Sequence, residues 1–562
     1  MPTLAVTEFN IVCTVLGGFV LLFGLVSFFV KERLYLSEAL IALLMGVALG
    51  PHGANLIRPL AYAGGGSQDN LDAINLAFCR LVLGVQLVLA GVQLPKKYLI
   101  YEWKSLGMLL GPVMTIMWLV SGTIVYGLIP GLSYVQALAI GACITPTDPI
   151  LSNTIVKGKF ADKHIPVPLQ RIIIAESGAN DGLGYPFLFI SLYIYRYAIL
   201  SNNTGHGVSL FFTETVLYTI LLSVAYGCVV GWLAKDLLHW ASEKKLIDRE
   251  SFLVFAIALA LFIVGSCGML GTDDVLACFI AGNAFTLDDW FRLETLDDSL
   301  QPTIDMLLNI TIFLWFGAVA PWTDFVNTTG LPFGRLMGMA VLILLLRRPP
   351  IVLLLHKYIP RVQNIREAIF AGYFGPIGVS AIFYLYITVD FLKSVETLEL
   401  DPAQLEGVKV MVTATRLVIW FAVLSSVIVH GITVPFIKLG NRIPVTISRS
   451  VSRMTDNIPG LGGLISRSPS RSRNRSSELD VESADRRITA ADVSGPLPLP
   501  PPVVARSIDG ELERGGKKGL VWDDDNLERG RDRTERFASS SDPAGLDTPS
   551  AVNRTRESSS GV

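Results

Sequence analysis

Charge is what this chain has little of. Of its 562 residues, 17% are Asp, Glu, Lys or Arg, against 51% hydrophobic. That balance excludes an ordinary soluble domain and is the composition of a membrane protein. Cysteine is scarce as well. The six (Cys13, Cys79, Cys143, Cys228, Cys267 and Cys278) fall in apolar stretches, and no two form a CxxC pair. A disulfide framework or zinc site is therefore not expected, and the thiols read as small residues packed between helices. The six histidines are scattered without an i, i+4 partner, which argues against a transition-metal site. HExxH and GxGD are missing, as is a GxSG with a His partner, so an intramembrane hydrolase is not expected. No enzyme activity, resident cofactor or nucleic-acid partner is expected. Residues 1–10 carry no basic run, and the first apolar stretch is followed by "KER" rather than by small residues. A cleavable signal peptide is accordingly not expected.

What is present is a series of long apolar runs. A membrane-crossing helix needs about 20 mostly apolar residues. Thirteen segments qualify, near 11–30, 36–50, 74–94, 106–129, 135–156, 169–195, 212–234, 251–270, 273–286, 303–320, 333–355, 366–389 and 409–437; the second and ninth are short. The positive-inside rule sets their orientation. With the N-terminus outside, Lys31, Arg33, Lys96, Lys97, Lys157, Lys159, Lys235, Lys244, Lys245, Lys357 and Arg361 all fall in cytoplasmic loops. The sequons at 202–204 and 327–329 then fall outside. An odd number of spans puts the C-terminus in the cytoplasm. The expected fold class is an all-α membrane protein, with its transmembrane domain over 1–440.

Beyond residue 440 the composition changes. "SRSPSRSRNRSS" and "PLPLPPPVV" are rich in Ser, Arg and Pro and cannot bury enough apolar surface to fold. Residues 441–562 read as a disordered cytoplasmic tail. Its basic start suits anionic lipid, its Arg-Ser runs suit phosphorylation or regulatory proteins, and a plain solvated tail stays open.

A few residues are costly where they stand, since a charge at membrane depth costs roughly 3 kcal/mol or more. The fifth span reads "CITPTDPIL", with Pro146 and Pro149 flanking Thr147 and Asp148. Two prolines three apart unwind a helix, and unwound backbone is tolerated at depth only inside protein or beside a cavity. Two readings stay open and are compatible. The freed carbonyls, hydroxyls and Asp148 form an oxygen set suited to a cation, or Asp148 caps the following half-helix. The twelfth span is interrupted in the same way at Gly375, Pro376 and Gly378. If spans one to six and eight to thirteen are repeats, both interruptions fall in the fifth span of a repeat, the strongest sequence pointer to a transporter's ion site.

The sixth span, "IIIAESGANDGLGYPFLF", holds Glu176, Asn180 and Asp181. Glu176 and Asn180 share a helix face, while Asp181 lies about 100° further round. The two carboxylates therefore need not meet the same partner. In the eleventh span Arg347 and Arg348 precede two prolines; one is expected to face the bundle and neutralise a carboxylate, the other to snorkel. Asp273 and Asp274 are expected near the outer surface, either gathering cations or simply beginning a helix. Arg416 has no partner that spacing can name.

Together "TPTDP" (145–149), "ESGANDG" (176–182), "RPPIV" (348–352) and "FGPIGVSAIFY" (374–384) resemble the monovalent cation/proton antiporter family, and in particular its fungal plasma-membrane branch. The resemblance covers roughly residues 10–440. It implies two inverted repeats with two broken, crossing helices, a homodimer in the plasma membrane, and exchange of cytoplasmic Na⁺, Li⁺ and K⁺ for external H⁺. It also implies that Asp181 binds the cation and exchanges the proton beside Asn180. Thr147 and Asp148 would line the crossing, Glu176 would pair with Arg348, and Asp273 and Asp274 would match an acidic pair of the fungal branch. One departure is Gln93 in "GVQLP", where the family pattern has an acid. The rival readings are a potassium-preferring or organellar exchanger and a channel or cation sensor without proton exchange.

Overall fold

The computed structural model describes residues 6–456 apart from 35, 65, 150, 153–164, 329 and 330; for Glu32 and 434–456 it describes backbone alone. Every regular element among the described residues is helical. The principal helices are α1 (Glu8–Lys31), α2 (Glu38–Leu49), α3 (Gln68–Gln93), α4 (Trp103–Leu128), α5 (Tyr134–Cys143), α6 (Val167–Leu200) and α7 (Thr204–Glu243). They continue with α8 (Arg249–Leu270), α9 (Asp274–Phe285), α10 (Leu300–Val319), α11 (Phe333–Tyr358), α12 (Ile365–Tyr373), α13 (Val379–Glu396) and α14 (Pro402–Asp456). Among the described residues nine stretches are long and apolar enough to cross a membrane, while α2, α5 and α9 are shorter apolar helices. Each of the thirteen expected spans coincides with one of these helices, except the twelfth, which takes both α12 and α13. The fifth continues into 153–164, outside the described residues. The backbone of α14 runs on past the boundary expected at 440, and the tail from 457 lies outside the described residues.

Local chemistry fixes several starts. Ser133 and Gln136 form a reciprocal capping box at α5. Asp248 caps α8 through the Ser251 amide, and Asp273 caps α9 through the Leu276 amide at 3.0 Å.

The packing has the twofold pattern that two repeats require. α2 lies against α10 and α9 against α3; α5 packs on α4 and α6, while α12 packs on α11 and α13 on α14. Two of these contacts are made alike. Gly46 meets the backbone of Leu314 and Gly317, and Gly91 meets that of Gly282 and Asn283. In lipid, where burial does not drive helices together, such small-residue contacts let backbones approach closely. The helices sort into two bundles. One holds α4, α5, α6 and α11–α14, the other α2, α3 and α7–α10, and they meet where α13 and α6 lie along α3 and α9.

Candidate functional site

The site forms where the two broken spans cross. After α5 the chain is unwound over 144–148, and after α12 over 374–378. The breaks bond to each other, the Asp148 amide donating to the Pro376 carbonyl at 2.9 Å. Gly378 is required at this contact, because a β-carbon there would collide with the Asp148 carboxylate. Pro149 stands at the start of the next helical turn, where a missing N–H costs nothing.

Each free end of the broken helices meets a group of opposite sign. Asp148, fully buried, accepts from the Leu151 amide at 3.0 Å and from the Val379 amide, and so caps the second half of both broken spans. The carbonyl ends of the first halves meet arginines. Arg347 donates to the carbonyls of Ile144 and Gly375, with Thr145 and Pro146 at 3.4 Å. Arg348 donates to the Ala371 carbonyl at 2.9 Å. An anion at helix N-termini and cations at C-termini match the helix dipoles. The freed carbonyls of the first break, read from sequence as possible cation ligands, are thus shared with a guanidinium. Neither arginine snorkels: Arg347 and Arg348 are both buried.

The two acids of α6 stand in different surroundings. Glu176 takes two hydrogen bonds from Arg348, at 2.5 and 2.7 Å, in a buried bidentate pair. Asp181 is 0% exposed, and among the described residues neither carboxylate oxygen has a hydrogen-bond partner. Asp148 and Asp273 lie within electrostatic reach of it. Asn180 faces the first break: its side-chain oxygen accepts from the Thr147 amide at 3.1 Å, and its amide donates to the Thr147 hydroxyl at 2.8 Å. Ser177 is 3.1 Å from that hydroxyl and 3.3 Å from Ser152.

Asp273 and Asp274 are not at the surface where they were expected. Both are buried, because the turn after α8 tucks the start of α9 into the protein. Asp274 pairs with Arg80 at 2.9 Å, and one oxygen of Asp273 is unpartnered. Arg416 does have a partner: it donates to Asp72 through both terminal guanidinium nitrogens. Asp72 lies outside the span expected near 74–94, whereas α3 begins at Gln68 under its Ser67 cap. Sequence reasoning also passed over two residues beside Asp181. Tyr384 donates to the Asp181 and Gly182 carbonyls, and the Ser380 hydroxyl stands beside the Asp181 carboxylate. The signal for Ser380 was its place two residues beyond Gly378, inside the second broken span.

Fold and site together define a class, a polytopic helical membrane protein whose two broken helices cross beside a buried carboxylate, as in secondary ion transporters. The family model for the transmembrane sodium/hydrogen exchangers matches residues 18–439, and the chain belongs to that family. It is 40% identical over 443 residues to the Na(+)/H(+) antiporter 2 of Zygosaccharomyces rouxii, covering 78% of this chain and 54% of that protein. It is 31% identical over 456 residues to a Na(+)/H(+) antiporter of Schizosaccharomyces pombe, covering 80% of this chain and 95% of that protein. The chain spans about half the length of several curated relatives it matches, those of Z. rouxii and Saccharomyces cerevisiae among them. Among solved structures it shares the fold of the sodium proton antiporter MjNhaP1 from Methanocaldococcus jannaschii, with a TM-score of 0.54 at 19% identity over 77% of this chain and 99% of that one.

Proposed function

We propose that this chain is a secondary antiporter that exchanges cytoplasmic Na⁺, and with it Li⁺ and K⁺, for external H⁺ by alternating access, with Asp181 as the carrier. One observation carries the reading. Within α6, Glu176 is answered by Arg348, whereas Asp181 is fully buried and both its oxygens are unpartnered among the described residues. A buried carboxylate without a partner is costly, and either a proton or a cation relieves it. Protonated, Asp181 holds no cation. Ionised, it takes a dehydrated alkali cation, with the Ser380 hydroxyl and the free Asp273 oxygen as further donors. Two ligands competing for one group link the two fluxes without ATP. Either ligand neutralises the group, so the loaded site can turn across, while the empty ionised site is held back and leak is prevented. One exchangeable charge implies one-for-one exchange.

The names of the fungal relatives support sodium as cargo. Loop charge and sequon placement support an outside N-terminus, and the motif resemblance supports a plasma-membrane homodimer. The test uses purified protein in liposomes holding a pH-sensitive dye. External Na⁺ should make the lumen alkaline, and Asp181→Asn should abolish the signal. Proton movement that survives in Asp181→Asn, or a Na⁺ pulse that moves no protons in the unaltered chain, would overturn the reading.

A further inference from the structure

We infer that the large cavity between the two bundles is a vestibule of the transport route, and that Asp72 and Arg416 form the lock that closes it off from Asp181. This rests on the exchange reading above. The cavity has a volume of about 800 Å³. Its lining comes from both bundles: Gln68, Leu71 and Asn75 of α3 face Tyr386 of α13 and Arg416 and Trp420 of α14.

Arg58 and Asp324 line the cavity as well, but the charged groups that bridge the two bundles beside it are sorted by bundle. The acids, Asp69 and Asp72, are on α3, and the cations, Lys393 and Arg416, are on α13 and α14. Arg416 grips Asp72 through two hydrogen bonds, one of 2.9 Å. Lys393 reaches Asp69 at 2.7 Å and Asp72 at 3.4 Å. Asn75 donates to the Tyr386 hydroxyl at 2.8 Å and is itself held by the Trp315 indole N–H at 2.7 Å. Every one of these links except the Trp315 buttress joins one bundle to the other. They are the contacts that must break if the bundles shift to open the site toward the cavity.

The face of α3 shows where the opening leads. Asp72, Asn75 and Cys79 are spaced by three and four residues and so lie on one face. Cys79 is fully buried and lies within electrostatic reach of Asp148, at the crossing of the broken helices. One face of one helix therefore runs from the cavity, through the lock, to the neighbourhood of Asp181.

Cys79 is a native reporter for the test. The full chain is placed in sealed vesicles, and a membrane-impermeant methanethiosulfonate is applied to each side in turn. Labelling at Cys79 is read by mass spectrometry, with Cys79→Ser as background. The unaltered chain should label slowly. Asp72→Asn and Arg416→Gln should each label about tenfold faster or more, as when a minor open state of a few per cent becomes dominant. The rise should come from one membrane face only, and the swap Asp72→Arg with Arg416→Asp should return the rate toward that of the unaltered chain. Unchanged labelling in both single variants overturns the lock, as does a rise that is equal from both faces. If the single variants elute as aggregates, Tyr386→Phe, which removes one hydroxyl from the lock, carries the test: faster labelling supports it, and the unaltered rate overturns it. Labelling needs no ion gradient. A chain that moves no protons in liposomes, yet opens in these variants, loses the exchange reading and keeps the lock.

Discussion

At the scale of single residues, the main contrast is between two carboxylates five positions apart. Asp181→Asn should lose Na⁺-driven proton movement and yet melt no earlier than the unaltered chain in detergent, because it removes a buried, unpartnered charge. A melting temperature that falls sharply would make Asp181 a structural residue. Glu176→Ala should behave in the opposite way. It leaves Arg348 buried without its partner, a loss of about 3–5 kcal/mol. Adding Arg348→Ala to Glu176→Ala should recover part of that loss, and failure to recover any would dismiss the pairing as a source of stability. The sequence made both acids visible, since charges in an apolar run stand out. It did not decide which one had a partner, because Arg348 arrives from a helix 172 positions away.

At the scale of elements, the broken spans were legible because proline and glycine act locally: Pro146, Pro149, Gly375 and Pro376 interrupt helices wherever they stand. What satisfies the broken ends was not legible. Arg347 read as a residue free to reach water, whereas it serves carbonyls of two different spans. Arg347→Met should leave those carbonyls unsatisfied at about 1–3 kcal/mol each, lowering the melting temperature. Arg347→Lys should recover only part, since a point charge cannot reproduce the planar fork. Equal melting of the Met variant and the unaltered chain would show that the crossing does not depend on this guanidinium. Gly378→Ala should disable exchange altogether, because its methyl collides with Asp148; a variant that still moves protons at the normal rate would contradict the crossing geometry.

At the scale of the whole molecule, exchange predicts a link between cation, pH and stability. On the proposed mechanism only ionised Asp181 takes the cation, so Na⁺ should raise the melting temperature more at alkaline than at acid pH. At one hundred times its dissociation constant, the ion would add about 2.7 kcal/mol. The shift should vanish in Asp181→Asn. A sodium effect that is equally large at acid pH, or that persists in that variant, would locate the cation elsewhere. The packing of α2 on α10 and of α9 on α3 was not foreseen, since counting spans gave an equivalence of halves but no contacts.

By itself, the sequence determined the helices, their breaks and the expensive residues, because apolar length, proline and intramembrane charge are properties of short segments. Only the tertiary structure decided the partners. It gave Glu176 its arginine, gave Arg347 its carbonyls, drew Asp273 and Asp274 inward, and joined Arg416 to Asp72. The physical reason is that compensation of a buried charge depends on distance in space, and in a bundle of helices the nearest counter-charge lies on another helix, often hundreds of residues away in the chain.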